Sequence, residues 1–317
     1  MHIIRESIKL LIPSLLSAIT VTGLNGCSDR PTTPETTTQT APTSVATDNG
    51  EKAHELTAKK LENEIDRLKK RLKPAPKYWT KVGLAIDLSA SMNAAQTNRL
   101  QAADVKKLID TAQIAPIELG MTLICDQSLK AMIRGKFDSP PPILAKLLEP
   151  IELPKDLTEE GNPYYRDERA AKFQSDLKEY DLKVTTRLQE IAAYNVSLQD
   201  YDKQHSQLSK KFLDEVATIS KAENSCRTTN IHNATDSLNI FVQEPDSTSA
   251  LILKKFVYIQ TDGLDEFDKS TVKFTDPKVK VIVVHSGKSL GVLQNTPHQQ
   301  FGSPQAAIDS AIVQIQQ

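Results

Sequence analysis

An excess of charge of either sign is the first thing this chain lacks. Its 317 residues carry 39 basic and 40 acidic side chains, for a net charge of −1. Without a basic surplus to neutralise phosphates, nucleic acid is not an expected partner. Histidine is sparse: His2, His54, His205, His232, His285 and His298 are scattered, and no two have a metal-ligand spacing. No positioned histidine base for metal-assisted hydrolysis is visible, and the chain is expected not to be an enzyme. A phosphate loop is missing too. Ser286-Gly287-Lys288-Ser289 has the tail of G-x-x-x-x-G-K-[ST], but the first glycine would fall at Ile282, inside an apolar strand pattern. The N-terminal apolar stretch from Leu10 to Leu24 is too short and interrupted for a membrane span. From Asp167 to Ser220 there is neither glycine nor proline, so nothing in that stretch terminates a helix.

At the amino end, Arg5 and Lys9 against Glu6 give a mildly positive start before Leu10 to Leu24, as in a secretory signal. The segment ends Leu24-Asn25-Gly26-Cys27, which resembles the L-x-[G/A]-C lipobox of bacterial lipoproteins. The resemblance implies removal of residues 1–26, lipidation of Cys27 and a lipid-anchored place in the cell envelope. Several acyl chains on one cysteine would give firm membrane attachment. Ser28 rather than aspartate follows Cys27, which points to the outer membrane if the host has two membranes. The alternative is an ordinary cleaved signal with a chance cysteine. Residues 27–50, including Pro31-Thr32-Thr33-Pro34, are poor in large apolar groups and read as a flexible tether. In an exported chain the two remaining cysteines, Cys125 and Cys226, are a candidate disulfide, with two free buried thiols as the alternative.

Residues 51–73 place Ala58, Leu61, Ile65, Leu68 and Leu72 at alternating spacings of three and four, a short coiled-coil seam closed by Pro74 and Pro76. Such a seam needs a partner: its own domain, a long helix elsewhere in the chain, or another coiled-coil chain. From Lys81 onward, strand and helix patterns alternate as in an α/β fold with a doubly wound, mostly parallel sheet. Five strands are expected: Lys81–Ile86, Glu118–Cys125, Lys130–Phe137, Val257–Gln260 and Val279–Val284. The second and third should form an antiparallel pair around Asp126-Gln127-Ser128, since so short a link holds no parallel crossover. Helices are expected over Asn98–Ala112 and after Ser303-Pro304.

The domain spans 78–317 and is interrupted by an insertion, 139–224, longer than a connection requires. Phe173, Leu177, Tyr180, Val184, Ile191, Tyr194, Leu198, Tyr201, Leu208 and Phe212 recur near heptad spacing within it. They predict either one very long helix or a hairpin turning near Asn195 to Gln204. The aromatic members are expected to pack a seam rather than to line a ligand box. Removing Pro154 to Ser220 is expected to leave the sheet folded.

Chemistry concentrates at Asp87-Leu88-Ser89-Ala90-Ser91, directly after an apolar strand pattern. A carboxylate and two hydroxyls at alternate positions can converge hard oxygens on a small divalent cation. Helix capping alone is the plainer use of such a triplet. Two later segments join it: Arg227-Thr228-Thr229-Asn230 and Thr261-Asp262-Gly263. Together the three resemble the metal-ion-dependent adhesion site of von Willebrand factor type A domains.

The resemblance implies a divalent-metal site of Asp87, Ser89, Ser91, Thr229 and Asp262, all expected at the sheet's carboxyl edge, with Asp87 facing solvent. The cation would be Mg²⁺, or Mn²⁺ or Ca²⁺, with a coordination position left for an acidic side chain of a protein partner. The departure is Arg227-Thr228 where the family has Gly-Gly, and Thr228 stands as an alternative ligand to Thr229. Asp265 and Glu266 read as a solvated loop or as charges biasing the site's field. The expected function is metal-dependent adhesion or scaffolding by an envelope lipoprotein. The alternative is a structural coiled-coil protein whose metal site is idle.

Overall fold

A computed structural model of the chain describes residues 48–89, 92, 99–125, 132–220, 226, 228–245, 251–285 and 289–317. The expected signal, Cys27, most of the tether, Ser91, Arg227 and the turn at Asp126-Gln127-Ser128 lie outside the described residues.

A strand buried along nearly its whole length requires cover on both faces. Strand β1 (Tyr78–Asp87) is such a strand, with every residue after the first buried. It lies inside a six-stranded sheet with β2 (Ile117–Ile124), β3 (Ile133–Phe137), β4 (Ile252–Thr261), β5 (Val279–His285) and β6 (Gln299–Phe301), in the order β3-β2-β1-β4-β5-β6. In β1, Gly83 pairs in parallel with Gly120 of β2 and Val257 of β4. Strands β5 and β6 extend the parallel array, and β3 runs antiparallel to β2 with Phe137 opposite Ile117. The fold is therefore α/β, with a doubly wound, mostly parallel sheet, and the strand order reverses between β1 and β4.

The sheet has six strands where the sequence suggested five. The extra one, β6, is Gln299-Gln300-Phe301, three residues without an apolar run, so no periodicity announces it.

One face of the sheet is covered by helix α2 (Ala102–Asp110) and the C-terminal helix α5 (Pro304–Gln316). Val105, Leu108, Ile109, Ala307, Ile308 and Ile315 there meet Leu84, Ile86 and Tyr258 of the strands. Helix α2 is shorter than its apolar pattern: Gln101 caps it with a reciprocal bond to Asp104, and Thr111–Gln113 tightens into a 3₁₀ turn. Helix α4 (Ile231–Gln243) covers the opposite face through Ile231, Ala234, Leu238 and Phe241. A methyl on Gly83 would come within 2.8 Å of the Leu238 side chain, so the missing side chain sets how closely α4 approaches β1.

The insertion forms one helix, α3 (Arg166–Ser220), whose 55 residues make it about 80 Å long. The expected alternative of a hairpin at Asn195 to Gln204 does not occur. The chain reaches the helix's far end along an extended strap, and bonds to successive points on α3 mark its course. Tyr201 donates to Asp138 O (3.1 Å), Tyr194 to Pro141 O (3.2 Å), Arg187 to Glu149 O (2.9 Å) and Arg169 to Asn162 O (3.0 Å). Tyrosine hydroxyls thus satisfy strap carbonyls that carry no ladder.

Helix α1 (Asp48–Arg71) completes this arm. Its Leu61, Ile65 and Leu68 bury themselves against Tyr180, Val184 and Ile191 of α3, and His54 meets Asp181 at 2.7 Å. The seam of α1 is therefore filled from within the chain. Leu72 falls beyond the helix end and is exposed.

Phe137, at the amino edge of the sheet, meets Phe212 edge-to-face at 5.9 Å. Beyond that contact α3 climbs the sheet, and Phe212 and Val216 join the main core. Before it, Arg166 to His205 project away from the amino edge for about 60 Å. Cutting from Pro154 to Ser220 would therefore remove core side chains. The separable part of the insertion ends before Phe212.

Candidate functional site

The strand order reverses between β1 and β4, and in open α/β sheets ligands bind beyond the carboxyl ends of strands at such a point. Asp87 ends β1 and Thr261 ends β4, one step past the pairing of Ile86 with Gln260. The Asp87 carboxylate accepts from Ser89 N–H at 2.9 Å through Oδ1 and from the Thr261 hydroxyl at 2.7 Å through Oδ2. The Thr261 hydroxyl in turn accepts from Gly263 N–H at 3.2 Å. Gly263 has φ of 80°, and a Cβ there would strike Leu290 backbone at 2.5 Å, so the turn after Asp262 requires glycine. Asp262 accepts from Leu264 N–H at 3.0 Å, which fixes its side chain.

Asp87 does not face solvent as expected; its exposure is 0 %, against 5 % for Ser89 and 7 % for Asp262. Burial pushes the Asp87 carboxyl above its ordinary range. Hydrogen bonds from Ser89 and Thr261 pull the other way, and the negative charge of Asp262 adds to the rise. Two carboxyl groups close enough to repel, one without solvent, are costly in a metal-free protein. A divalent cation between them would relieve that cost.

The third loop arrives through Thr229, 3 % exposed, just ahead of helix α4. Its carbonyl accepts from Glu266 N–H at 3.1 Å, so the loop carrying Thr229 is bonded directly to the loop following Asp262. The preceding Thr228 has a buried hydroxyl with no hydrogen-bond partner among the described residues. Thr228 and Thr229 thus both keep oxygens at this edge. Among the described residues no trio of His, Cys, Asp or Glu is gathered for a metal. A cation here would depend on hydroxyls and two carboxylates, a hard-oxygen set suited to Mg²⁺, Mn²⁺ or Ca²⁺. Of the five residues singled out by sequence, Asp87, Ser89, Thr229 and Asp262 are described, and they come from loops linked by hydrogen bonds. Ser91 lies outside the described residues.

Cys125, one residue past β2, is bonded to Cys226, three residues before Thr229, with the Cα atoms 5.2 Å apart. The disulfide ties the Thr229 loop to the end of a strand in the same sheet.

Asp265 is 1 % exposed, turned inward from a loop whose neighbours Leu264 and Glu266 are exposed. Its Oδ2 accepts from Ile231 N–H (2.7 Å) and His232 N–H (3.2 Å), and lies 3.0 Å from His232 Nδ1. Its Oδ1 accepts from Phe267 N–H (2.8 Å) and Asp268 N–H (2.9 Å). Burial alone would raise this carboxyl, but the bonds from Asp268, His232 and Phe267 outweigh it and hold it below its ordinary range. Sequence reasoning missed this role, and Thr261's as well. Thr261 at least lies inside the Thr-Asp-Gly motif, whereas no spacing rule marks Asp265.

Ser270 Oγ stands 3.2 Å from His232 Nε2, which completes a Ser–His–Asp array with Asp265. Asp268 Oδ2 also approaches that Nε2, at 3.7 Å. Among the described residues no helix is long and apolar enough to cross a membrane.

No family model and no curated protein sequence matches the chain. Among solved structures it is similar to proximal thread matrix protein 1 from the mussel byssus, seen in one structure as crystal form 2 and in another "with zinc occupied MIDAS motif". Both align at a TM-score of 0.31 and 9 % identity, over 76 % and 75 % of this chain. The chain spans less than half the length of either, 46 % and 45 %. At that level of likeness, the fold assignment rests on the strand order and register given above.

Proposed function

We propose that the chain is a divalent-metal-dependent protein-binding module of the von Willebrand type A kind, carried on an envelope lipoprotein. The observation that carries this reading is the buried Asp87 carboxylate beside Asp262, with Ser89 and Thr229 on adjoining loops at the switch point of the sheet. Ser89, Ser91 and Thr229 would supply neutral oxygens, and Asp87 and Asp262 the charge, directly or through water. A bound cation would supply a Lewis-acidic point able to take a carboxylate from a partner protein. Thr261 and Ser89 N–H hold the Asp87 carboxylate in place.

The lipid anchor at Cys27 and the tether up to residue 50 would carry the module at the cell envelope. That part of the reading stands on the lipobox resemblance alone, and intact-mass analysis of the mature chain tests it: an acylated Cys27 is expected, and an unmodified one refutes it. For the module itself, titration with Mg²⁺ or Mn²⁺ should show saturable binding that is lost in Asp87→Asn. A second reading, a structural protein with an idle site, is favoured by the arm, whose seam buries Leu61, Ile65 and Leu68 against Tyr180, Val184 and Ile191. It predicts no cation binding by the wild type.

A further inference from the structure

Asp265 is the buried charged group at the carboxyl edge that the proposed ligand set does not use. A carboxylate with 1 % exposure is destabilising unless every lone pair is occupied, and here four backbone N–H groups and one imidazole nitrogen surround it. Two of those N–H groups, Ile231 and His232, open the helix that follows Thr229. The other two, Phe267 and Asp268, belong to the loop that follows Asp262. Ordinary helix capping does not account for the carboxylate, because Asn230 already fills the cap by accepting from Asn233 N–H at 2.9 Å. What Asp265 does that Asn230 cannot is bridge two loops 34 residues apart. The same two loops also meet through Glu266 N–H and Thr229 O at 3.1 Å.

We infer that Asp265 is a positioning residue for the cation site: it locks the Thr229 loop against the Asp262 loop in the metal-free protein, and so sets divalent-cation affinity without being a ligand. The inference rests on the metal-binding reading proposed above. His232 is the lesser part of the same lock, reaching Asp265 through Nδ1 and the Ser270 hydroxyl through Nε2.

The test uses the full chain and Mn²⁺ alone as the probe. Asp265→Asn cannot accept on both sides at once, since one oxygen becomes an amide donor, so one loop is released. Its Mn²⁺ dissociation constant should rise about 10- to 100-fold, the usual cost of losing an outer partner of a metal site. His232→Ala should raise it by less. Hydrogen exchange without metal provides a second readout, independent of cation binding. In Asp265→Asn, protection should fall at Ile231 and His232 or at Phe267 and Asp268, while the strand amides of β1 and β4 stay protected. A folded Asp265→Asn with wild-type Mn²⁺ affinity, or with wild-type protection at all four amides, overturns the inference. If Asp265→Asn fails to fold, His232→Ala and the wild-type exchange decide: fast exchange at all four amides in the wild type refutes the lock. If the wild type binds no Mn²⁺ yet Asp265→Asn loses protection, the lock exists and the metal-binding reading is what fails.

Discussion

Along the arm, Leu61, Ile65 and Leu68 of α1 close on Tyr180, Val184 and Ile191 of α3, none more than 4 % exposed. At the carboxyl edge of the sheet the comparably buried side chains are Asp87, Thr229, Thr261 and Asp265. Both regions exclude water, but the free-energy sign differs. Each apolar seam residue gains about 1.5–3 kcal/mol from burial. Each polar edge residue loses hydration that its hydrogen bonds only replace. The arm gains stability and extent from its burial, whereas the edge keeps in Asp87 a carboxylate whose burial outweighs its hydrogen bonds. Their positions agree with this division, since the arm leaves from the amino edge and the site occupies the other.

Four perturbations sharpen that contrast. In the arm, Val184→Asp places an unpaired charge at a position with 0 % exposure and should cost about 3–5 kcal/mol, the range for a buried charge without a partner. Urea unfolding followed by circular dichroism should show the arm melting before the sheet. Excising the arm by starting the chain after Leu72 and joining Pro140 to Gln204 through a short linker should leave cooperative unfolding of the sheet intact. Extending the cut to Ser220 should abolish it, because Phe212 and Val216 are then lost from the core. Equal behaviour of the two deletions would break the distinction between arm and sheet.

At the edge, replacing both Cys125 and Cys226 with serine opens a link between residues 101 apart in sequence and should lower stability by about 2–4 kcal/mol. Thiol counting on the unfolded, unreduced wild type should find neither cysteine alkylatable.

Asp265 should show itself through pH. Its folded-state carboxyl is held below the ordinary range by hydrogen bonds. Its stabilisation is thus fully present above the unfolded value of about 3.9 and fades as pH falls through the folded one. The gap in melting temperature between wild type and Asp265→Asn should be constant from neutral pH down to roughly pH 5 and shrink below roughly pH 4. A gap that does not narrow in acid would mean the carboxylate's charge is not what holds the loops.

The arm was largely legible in the sequence because its signal is local. Heptad spacing from Phe173 to Phe212 and the absence of glycine and proline prescribe a helix. What periodicity could not decide was hairpin against single helix, since the strap that solves the return path, with Pro141 and Glu149 offering carbonyls to Tyr194 and Arg187, has no repeating pattern. The strands with apolar runs were legible for the same reason, and β6 was not, because Gln299-Gln300-Phe301 is defined by its neighbour β5 rather than by its own residues.

At the edge, the Asp87, Thr229 and Asp262 motifs could be picked out as separate segments, but burial could not. The burial of Asp87 is invisible in its motif because a motif gives order along the chain and not depth. Asp265 looked like an ordinary loop acid because its partners, Ile231 and His232, come from more than thirty residues away.

The central claim, that the polar edge is kept buried in order to hold a divalent cation, is tested most directly by calorimetric titration of the wild type and Asp87→Asn with Mg²⁺. Asparagine keeps an acceptor for Ser89 N–H and can exchange a hydrogen bond with the Thr261 hydroxyl, while it removes the charge. Saturable binding is expected of the wild type at or below millimolar concentration and none of Asp87→Asn, whose unfolding curve without metal should match or exceed the wild type's. A wild type that takes up no cation at millimolar Mg²⁺, or an Asp87→Asn protein that binds as well as the wild type, would contradict it.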